Sequence, residues 1–545
     1  MIKKDVSNGA EVQPEDQASR GEIIIYGMGT AANMMAGKTY ALLTPLMVIT
    51  LGMSPILAGM ILAIKTLWDA FTDPVMATIT DNANTRWGRR RPFILVGGVS
   101  LALVCLGTWL FIPSSPRTPN VEPTAVVKPA APIADSAVVS ADKAGETVSV
   151  VPVAPIIDKK KNIRPPRKSF MASMRDGIAE LEKTSKEKKH LFIYLTIALM
   201  LMATAQTVFS VPYYALGIEL SPSYHGRTRV VAFRSIFDKL IGFLGPWFLP
   251  FCLGSFFVDG IEGIKWLTII LASFAIPLVI LSTCFTKERT KVDRARKKVN
   301  MFASIAATAK NRHFLKIASL YVVIQVAIGL FAQLGLFINI YYVFGGDKQA
   351  GAIMSGKVGS FAALLGIPAI PLITWICKKY QKHNALRLAI LMTSAGCVLN
   401  WFCLNPAYPE LQYILPFFFS LGISSTYTVL GTMMADVTDI DELNTGSRRE
   451  GMFGAVMAWM MKAIASIQAL AAGAVLVATG FNIELGVNQL PGVILNMRLL
   501  FSFAPAILLL FSLFILYRYP LTKKRMEEIK EILAERKRVA AAAQG

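Results

Sequence analysis

The sequence predicts an all-α membrane protein with twelve transmembrane helices arranged as two six-helix halves. Three observations carry that prediction. The chain of 545 residues is 54% hydrophobic with a mean hydropathy of +0.50, too apolar for an ordinary soluble globule. Its apolar residues fall into separate runs, each close to the roughly 20 residues that a helix needs to cross about 30 Å of hydrocarbon. The excess of basic over acidic residues, 56 against 35 for a net charge of +21, gathers in short loops between those runs. Cytoplasmic loops are basic in this way, and a nucleic-acid-binding protein would instead concentrate the charge on one face, so no nucleic-acid partner is expected.

Taken in order, residues 1–22 are polar, lack the apolar core of a signal peptide, and form a cytoplasmic N-terminal tail; the first helix then serves as the targeting element. The N-terminal six-helix half spans 23–286, with crossings at 23–49, 55–80, 93–112, 191–218, 230–257 and 266–285. Between the third and fourth helices lies an insertion, 113–190, rich in Pro, Ala and Lys (PTAVVKPAAPIADSAVV). Its composition cannot bury a core, and counting three spans from a cytoplasmic start places it outside the cell membrane. Near its end Phe170, Met174, Ile178 and Leu181 recur at helical spacing, as an interfacial or linker helix would have them. A basic cytoplasmic linker, 287–313, joins the halves. The C-terminal half, 314–518, has crossings at 315–344, 352–377, 386–404, 411–435, 452–479 and 495–517, and a basic amphipathic cytoplasmic tail follows at 519–545. This puts both termini in the cytoplasm of a multi-pass protein of the inner (cytoplasmic) cell membrane. Six cysteines sit in or beside apolar runs without metal-ligand spacing, so neither a disulfide framework nor a zinc site is expected.

The chemistry is concentrated in residues 68–92, WDAFTDPVMATITDNANTRWGRRRP. Asp69 and Asp73 stand four apart on one helical face, with Cβ atoms about 5–6 Å apart and Thr72 beside them, a spacing that suits one small cation. Two like charges in a bilayer are costly, at least about 2.5–3.5 kcal/mol for one ionisable group at a helix centre, so the pair needs either a ligand or basic partners on neighbouring helices. Pro74 lacks an N–H and leaves the Ala70 carbonyl free beside the carboxylates. Lys65 extends the charged stripe by one turn. Arg86, Gly88, Arg89, Arg90 and Arg91 then form a compact basic loop, which marks the cytoplasmic end and a gating loop.

Other polar residues in the spans complete a candidate constellation. Lys462, in AWMMKAIAS, needs a carboxylate partner or an anionic ligand. Arg234 and Asp238 are spaced to pair with each other. Thr207 and Ser210 place hydroxyls one turn apart, Lys38 either faces a cavity or snorkels to the surface, and Tyr213, Tyr214 and Tyr427 offer faces on which a sugar could stack. Each has a bland alternative, since hydroxyls back-bond to their own helix and aromatics pack.

The stretches YGMG, WDAFTDP, TRWGRRRPF, FSVPYYAL and ADVTDIDELNTGSRREGMFGAVMAWMMK resemble the glycoside–pentoside–hexuronide:cation symporters of the major facilitator superfamily. The resemblance covers both halves and omits the insertion and the tails. It implies the major facilitator fold and symport of a sugar, glycoside or sugar acid with Na+ or H+, with no enzymatic activity and no cofactor beyond that coupling cation. By family position the cation falls on Asp69 and Asp73 with Thr207 helping, the coupling lysine on Lys462, the helix V arginine on Arg234, and the sugar-stacking aromatics on Tyr214 and Tyr427. Where galactoside carriers of this family hold the sugar with one aspartate in helix I and another in helix IV, this chain has Met34 and Ser210. The presumed pocket is thereby more positive and favours an anionic sugar. The partners expected are a small-molecule substrate, a monovalent cation and the bilayer, for a chain acting as a monomer. A lysolipid transporter of the same superfamily and a transporter-like sensor are the competing readings. A membrane-embedded hydrolase is disfavoured because no His-rich or Asp-rich loop accompanies the carboxylates.

Overall fold

The structure is a computed structural model that describes residues 18–83, 85–112, 186–220, 224–288, 311–446, 450–482, 485–486, 488–517 and 523–542. The proposed N-terminal tail up to residue 17, nearly all of the insertion including its Phe170–Leu181 segment, and most of the inter-half linker therefore lie outside the described residues. Within them the apolar runs are all helical, because in hydrocarbon a chain must satisfy its backbone N–H and C=O groups internally.

The first group is α1 (Arg20–Pro45), α2 (Pro55–Asn82), α3 (Arg91–Leu110), α4 (Lys186–Glu219), α5 (Tyr224–Leu244) and α6 (Gly260–Cys284). Ser19 starts α1 by accepting a hydrogen bond from the Glu22 N–H at 3.2 Å, and Asp259 does the same for α6 through the Glu262 N–H at 2.8 Å. The second group is α7 (Arg312–Ile338), α8 (Lys348–Lys379), α9 (Lys382–Cys403), α10 (Leu415–Thr445), α11 (Glu450–Ala478) and α12 (Pro491–Leu516), and a further helix, α13 (Lys523–Ala542), follows. Both groups open with a helix that ends in a π-helical turn, Leu46–Thr50 after α1 and Asn339–Val343 after α7. Among the described residues ten helices are long and apolar enough to cross a membrane. α1 and α5 fall short because polar residues such as Asn33 and Lys38, or Arg234 and Asp238, interrupt their apolar faces.

Three segments depart from the expected spans. The fifth does not run unbroken to residue 257: Gly245 and Pro246 interrupt it, giving a 3-10 turn at Gly245–Trp247 and a short helical stretch at Phe248–Cys252. α10 continues ten residues past 435 because its acids find partners. Lys382 Nζ lies 2.7 and 2.8 Å from the Asp436 carboxylate, Asn311 donates to Asp441 at 3.3 Å, and Gly446, at φ +69°, finally ends the helix. The tail helix α13 is docked: Met526, Ile529 and Leu533 are buried in the core of the second group, and Arg536 donates to the Leu443 carbonyl at 2.9 Å.

In the first group α1 packs on α5 and α6, α3 on α4 and α6, and α2 on α4; in the second, α7 packs on α11 and α12, α9 on α10 and α12, and α8 on α10. The groups meet along α2 with α11 and where the end of α5 reaches α8. Small residues make the first seam backbone-tight. A Cβ at Gly59 would stand 2.5 Å from the Ala469 carbonyl oxygen, one at Gly473 would stand 2.2 Å from that of Pro55, and Ser466 donates to the Ala63 carbonyl at 2.9 Å. At the second seam Trp247 Nε1 donates to Ser360 Oγ at 2.8 Å, and Ser360 donates onward to the Phe243 carbonyl at 2.7 Å. These contacts all lie away from the arginine loop. A cavity of about 200 Å³ between α1, α2, α7 and α11, lined by Thr44, Gly59, Gln333 and Gln468 among others, lies on the tight side.

Candidate functional site

Pro74 breaks the hydrogen-bond ladder of α2 one residue after Asp73, and the carboxylates of Asp69 and Asp73 face both α4 and α11. Lys462 of α11 bridges them: its ammonium is 2.8 Å from Asp69 Oδ2 and is also hydrogen-bonded to Asp73 Oδ2. From α4, the Thr207 hydroxyl lies 3.0 Å from Asp69 Oδ1 and 3.1 Å from Asp73 Oδ1, and it is 3.2 Å from the hydroxyl of Thr72. Two carboxylate oxygens thus meet an ammonium, and the other two share the single proton of a buried hydroxyl. The two Oδ1 atoms and the two threonine oxygens form a compact oxygen cluster. It has the hard-oxygen character that a small monovalent cation or a proton requires, and Lys462 supplies the positive charge there.

Lys65, one turn before Asp69, is held differently. Its ammonium sits over the ring of Tyr40 on α1, 3.9 Å from the centroid, and among the described residues it has neither an ion pair nor a hydrogen bond. The buried Tyr40 hydroxyl likewise has no partner. A desolvated cation–π contact returns about 2 kcal/mol, less than the roughly 2.5–3.5 kcal/mol cost of an ammonium at a helix centre.

The remaining polar candidates form a second cluster between α1, α4 and α5. Asn33 Nδ2 donates to the Tyr214 hydroxyl at 2.9 Å, and the Arg234 guanidinium lies over the Tyr214 ring, 5.1 Å from its centroid. The expected Arg234–Asp238 pair does not form: among the described residues no ion pair joins them, and Arg234 Nε, Asp238 Oδ1 and Asn33 Oδ1 are each buried without a partner. Helical spacing permitted the pair, but the tyrosine face contributed by α4 draws the guanidinium away. Tyr213 is fully buried, stacked on Tyr26 at 4.5 Å between centroids and bonded to Thr30 at 2.8 Å, so it serves packing. Ser210 and Met34 are half-buried nearby on α4 and α1. Lys38 is brought to neither cluster; its aliphatic stem packs over Gly245, where a Cβ would stand 2.8 Å from Cδ. Tyr427 belongs to the second group of helices, where its hydroxyl donates to Gln325 Oε1 and its ring neighbours Tyr321.

The arginine loop is a clamp. Gly88, at φ +110°, makes the turn, and a side chain there would collide with the Glu288 carboxylate. That carboxylate accepts from the backbone N–H groups of Arg89, Arg90 and Arg91 at 2.7–2.9 Å, at the start of α3. Arg89 and Arg90 both reach Glu219 at the end of α4, at 2.6 and 2.8 Å, and Arg91 donates to the Thr283 and Cys284 carbonyls that close α6. Arg86 is exposed. The loop therefore ties α3, α4 and α6 together.

Several participants escaped sequence reasoning. Glu219 and Glu288 look like ordinary loop acids until the fold brings the arginines to them. Gln468, which lines the cavity and donates to the Gln325 carbonyl at 2.6 Å, is one amide in a small-residue run. Arg498 did carry a signal, a lone arginine inside the apolar run of α12. It is sandwiched 4.3 Å from the ring centroids of both Tyr342 and Trp401 and donates to the Tyr342 hydroxyl and the Trp401 carbonyl at 2.9 Å.

Comparison with known proteins places the chain in a family of transport proteins. The profile of a family described as MFS/sugar transport protein matches residues 25–127 and 181–523, stepping over most of the insertion. An uncharacterized symporter of Synechocystis sp., sll1374, is 24% identical over 524 residues, covering 89% of this chain and 91% of that protein. The glucuronide carrier protein homolog of Escherichia coli (strain K12) is 23% identical over 529 residues, covering 96% and 97%. Among solved structures, a bacterial homolog of the human lysosomal transporter Spinster superposes with a TM-score of 0.57 at 11% identity, covering 93% of this chain and 97% of that one, a likeness of fold alone.

Proposed function

The chain belongs to the MFS/sugar transport protein family, among the glycoside–pentoside–hexuronide:cation symporters of the major facilitator superfamily, and on that premise we propose that it couples Na+ or H+ to uptake of a sugar, glycoside or sugar acid. The observation that carries the coupling is Lys462 bridging Asp69 and Asp73 beside Thr207 and Thr72. A cation entering the oxygen cluster competes with the ammonium for the same carboxylates. Binding therefore releases Lys462, and with it a contact between α2 and α11, the helices that join the two groups. On this reading α1 and α5 cross the membrane with the other ten helices, in two six-helix halves that rock about the central site, and the arginine loop and both termini face the cytoplasm. The substrate sits between the clusters around Tyr214 and Tyr427, on whose rings a sugar can stack.

One observation favours an amphiphile instead. Leu67, Phe71, Val75 and Ile79 make an exposed apolar stripe down α2 beside the aspartates, with Phe71 67% exposed. Reconstituted vesicles separate the two readings. Imposing an inward Na+ or H+ gradient is expected to drive accumulation of methyl glucuronide or methyl glucoside and not of lysophosphatidylcholine. Accumulation of the lysolipid alone would replace the sugar reading, and indifference to both ion gradients would remove the coupling.

A further inference from the structure

We propose that Lys65 and the Tyr40 hydroxyl together recognise one negative charge on the substrate, so that cation and substrate enter as a neutral pair; this rests on the symport reading above. The argument begins with charge. Asp69 and Asp73 are matched in charge by Lys65 and Lys462, so the two carboxylates with their two lysines are neutral as they stand. Adding one monovalent cation or proton leaves an excess of one positive charge in a low-dielectric region, and a neutral sugar does nothing to remove it. A monoanionic substrate restores neutrality.

Geometry then selects the group that meets the anion. Lys462 is engaged with both carboxylates, and Arg234 lies on Tyr214. Lys65 has only the Tyr40 ring, 3.9 Å from its ammonium, and the phenol at the edge of that ring is a buried donor with nothing to donate to. An ammonium and a hydroxyl, both unmet and adjacent, form a donor pair for a carboxylate or another singly charged oxyanion. Lys65 stands one helical turn from Asp69, close enough for a bound cation and the anion to attract each other without sharing ligands. A lysine kept only for structure would be expected to have taken a carboxylate partner.

The test compares methyl β-D-glucuronide with methyl β-D-glucoside in counterflow by reconstituted full-length protein. Wild type is expected to favour the glucuronide by about tenfold or more, and its glucuronide uptake should be indifferent to an imposed membrane potential. Lys65→Gln should lower glucuronide transport by at least about tenfold while leaving the glucoside equal or improved, because the variant site becomes neutral with the cation alone. Tyr40→Phe should weaken the glucuronide selectively by about tenfold, the size of one hydrogen bond to a charged group. Lys65→Arg, which keeps the charge, should retain the preference. Equal loss of both sugars in Lys65→Gln, with Lys65→Arg no better, would assign Lys65 to structure and overturn the inference while leaving symport intact, as would a wild-type preference for the glucoside. If wild type moves neither sugar, the sugar reading fails and this inference goes with it.

Discussion

Two polar clusters lie within the first group of helices and its seam, and they differ in how completely they are satisfied. Where α2, α4 and α11 meet, every carboxylate oxygen of Asp69 and Asp73 has a partner. On the side facing α5, Asn33, Arg234 and Asp238 each leave a buried polar atom unmet, and Tyr40 does the same beside Lys65. An unmet buried group costs about 1–3 kcal/mol, so the second arrangement is expensive unless a ligand completes it. The contrast separates two roles. A satisfied cluster can be entered only by displacing a partner, which is what coupling requires, whereas an unsatisfied one gains from whatever arrives, which is what recognition requires.

The contrast is broken most severely at Asp73. Asp73→Asn removes one carboxylate of the pair and leaves Lys462 tied to Asp69 alone. Ion-driven accumulation of substrate should fall at least about a hundredfold. Accumulation at normal levels with unchanged ion dependence in the asparagine variant would dismiss the pair as the cation site.

Removing the displaced partner sharpens the same point from the other side. In Lys462→Ala the oxygen cluster no longer has a competitor, so the cation should bind about tenfold more tightly or better, a gain of at least about 1.4 kcal/mol. Concentrative uptake should be lost while substrate exchange persists. Cation titration of the purified variant checks the first expectation and counterflow the second; wild-type ion stoichiometry in this variant would take Lys462 out of the coupling.

How much of this was legible in the sequence follows from where the partners stand. Asp69, Asp73 and Pro74 belong to one helix, so their relation could be derived from a 3.6-residue period, and Lys462 stood out as a lysine in an apolar run. The partners of Lys65, Arg234 and the arginine loop come from other helices, and periodicity says nothing about which face of α1 or α4 is turned toward them. That is why i,i+4 spacing misjudged Arg234, whose guanidinium went to Tyr214, and why Tyr40, Glu219 and Glu288 were not found. The π-helical turns left no sequence signal, since an insertion of one residue per turn is decided by packing.

A smaller effect is expected at the seam that holds the clusters in this arrangement. Gly59→Val forces a side chain toward the Ala469 carbonyl, and overpacking of this kind costs about 1–3 kcal/mol. The tight end should open more readily. A cysteine placed at Thr44, which lines the 200 Å³ cavity, should then react faster with a membrane-impermeant maleimide in a background lacking the six native cysteines. Uptake should fall about tenfold, because the state closed at this seam has been disfavoured. Unchanged labelling would show that the seam tolerates the valine without opening.

The smallest effect is expected from the largest change, deletion of residues 121–161. The family profile that matches both groups of helices ends at 127 and resumes only at 181, so it passes over most of the deleted stretch. Their Pro, Ala, Val and Lys composition lacks the apolar periodicity needed to fold against the helices. Loop closure is only weakly sensitive to length, about 0.6 kcal/mol for each doubling, so shortening the connection between α3 and α4 should perturb neither cluster. Uptake and the glucuronide-to-glucoside ratio should stay within about twofold of wild type, the scale set by that same closure term. Should uptake collapse at normal expression, the segment would have to act on the transport cycle itself, by capturing substrate or by binding a partner outside the membrane. A changed sugar ratio at undiminished rate would extend recognition beyond the α1 side and break the separation of roles between the two clusters.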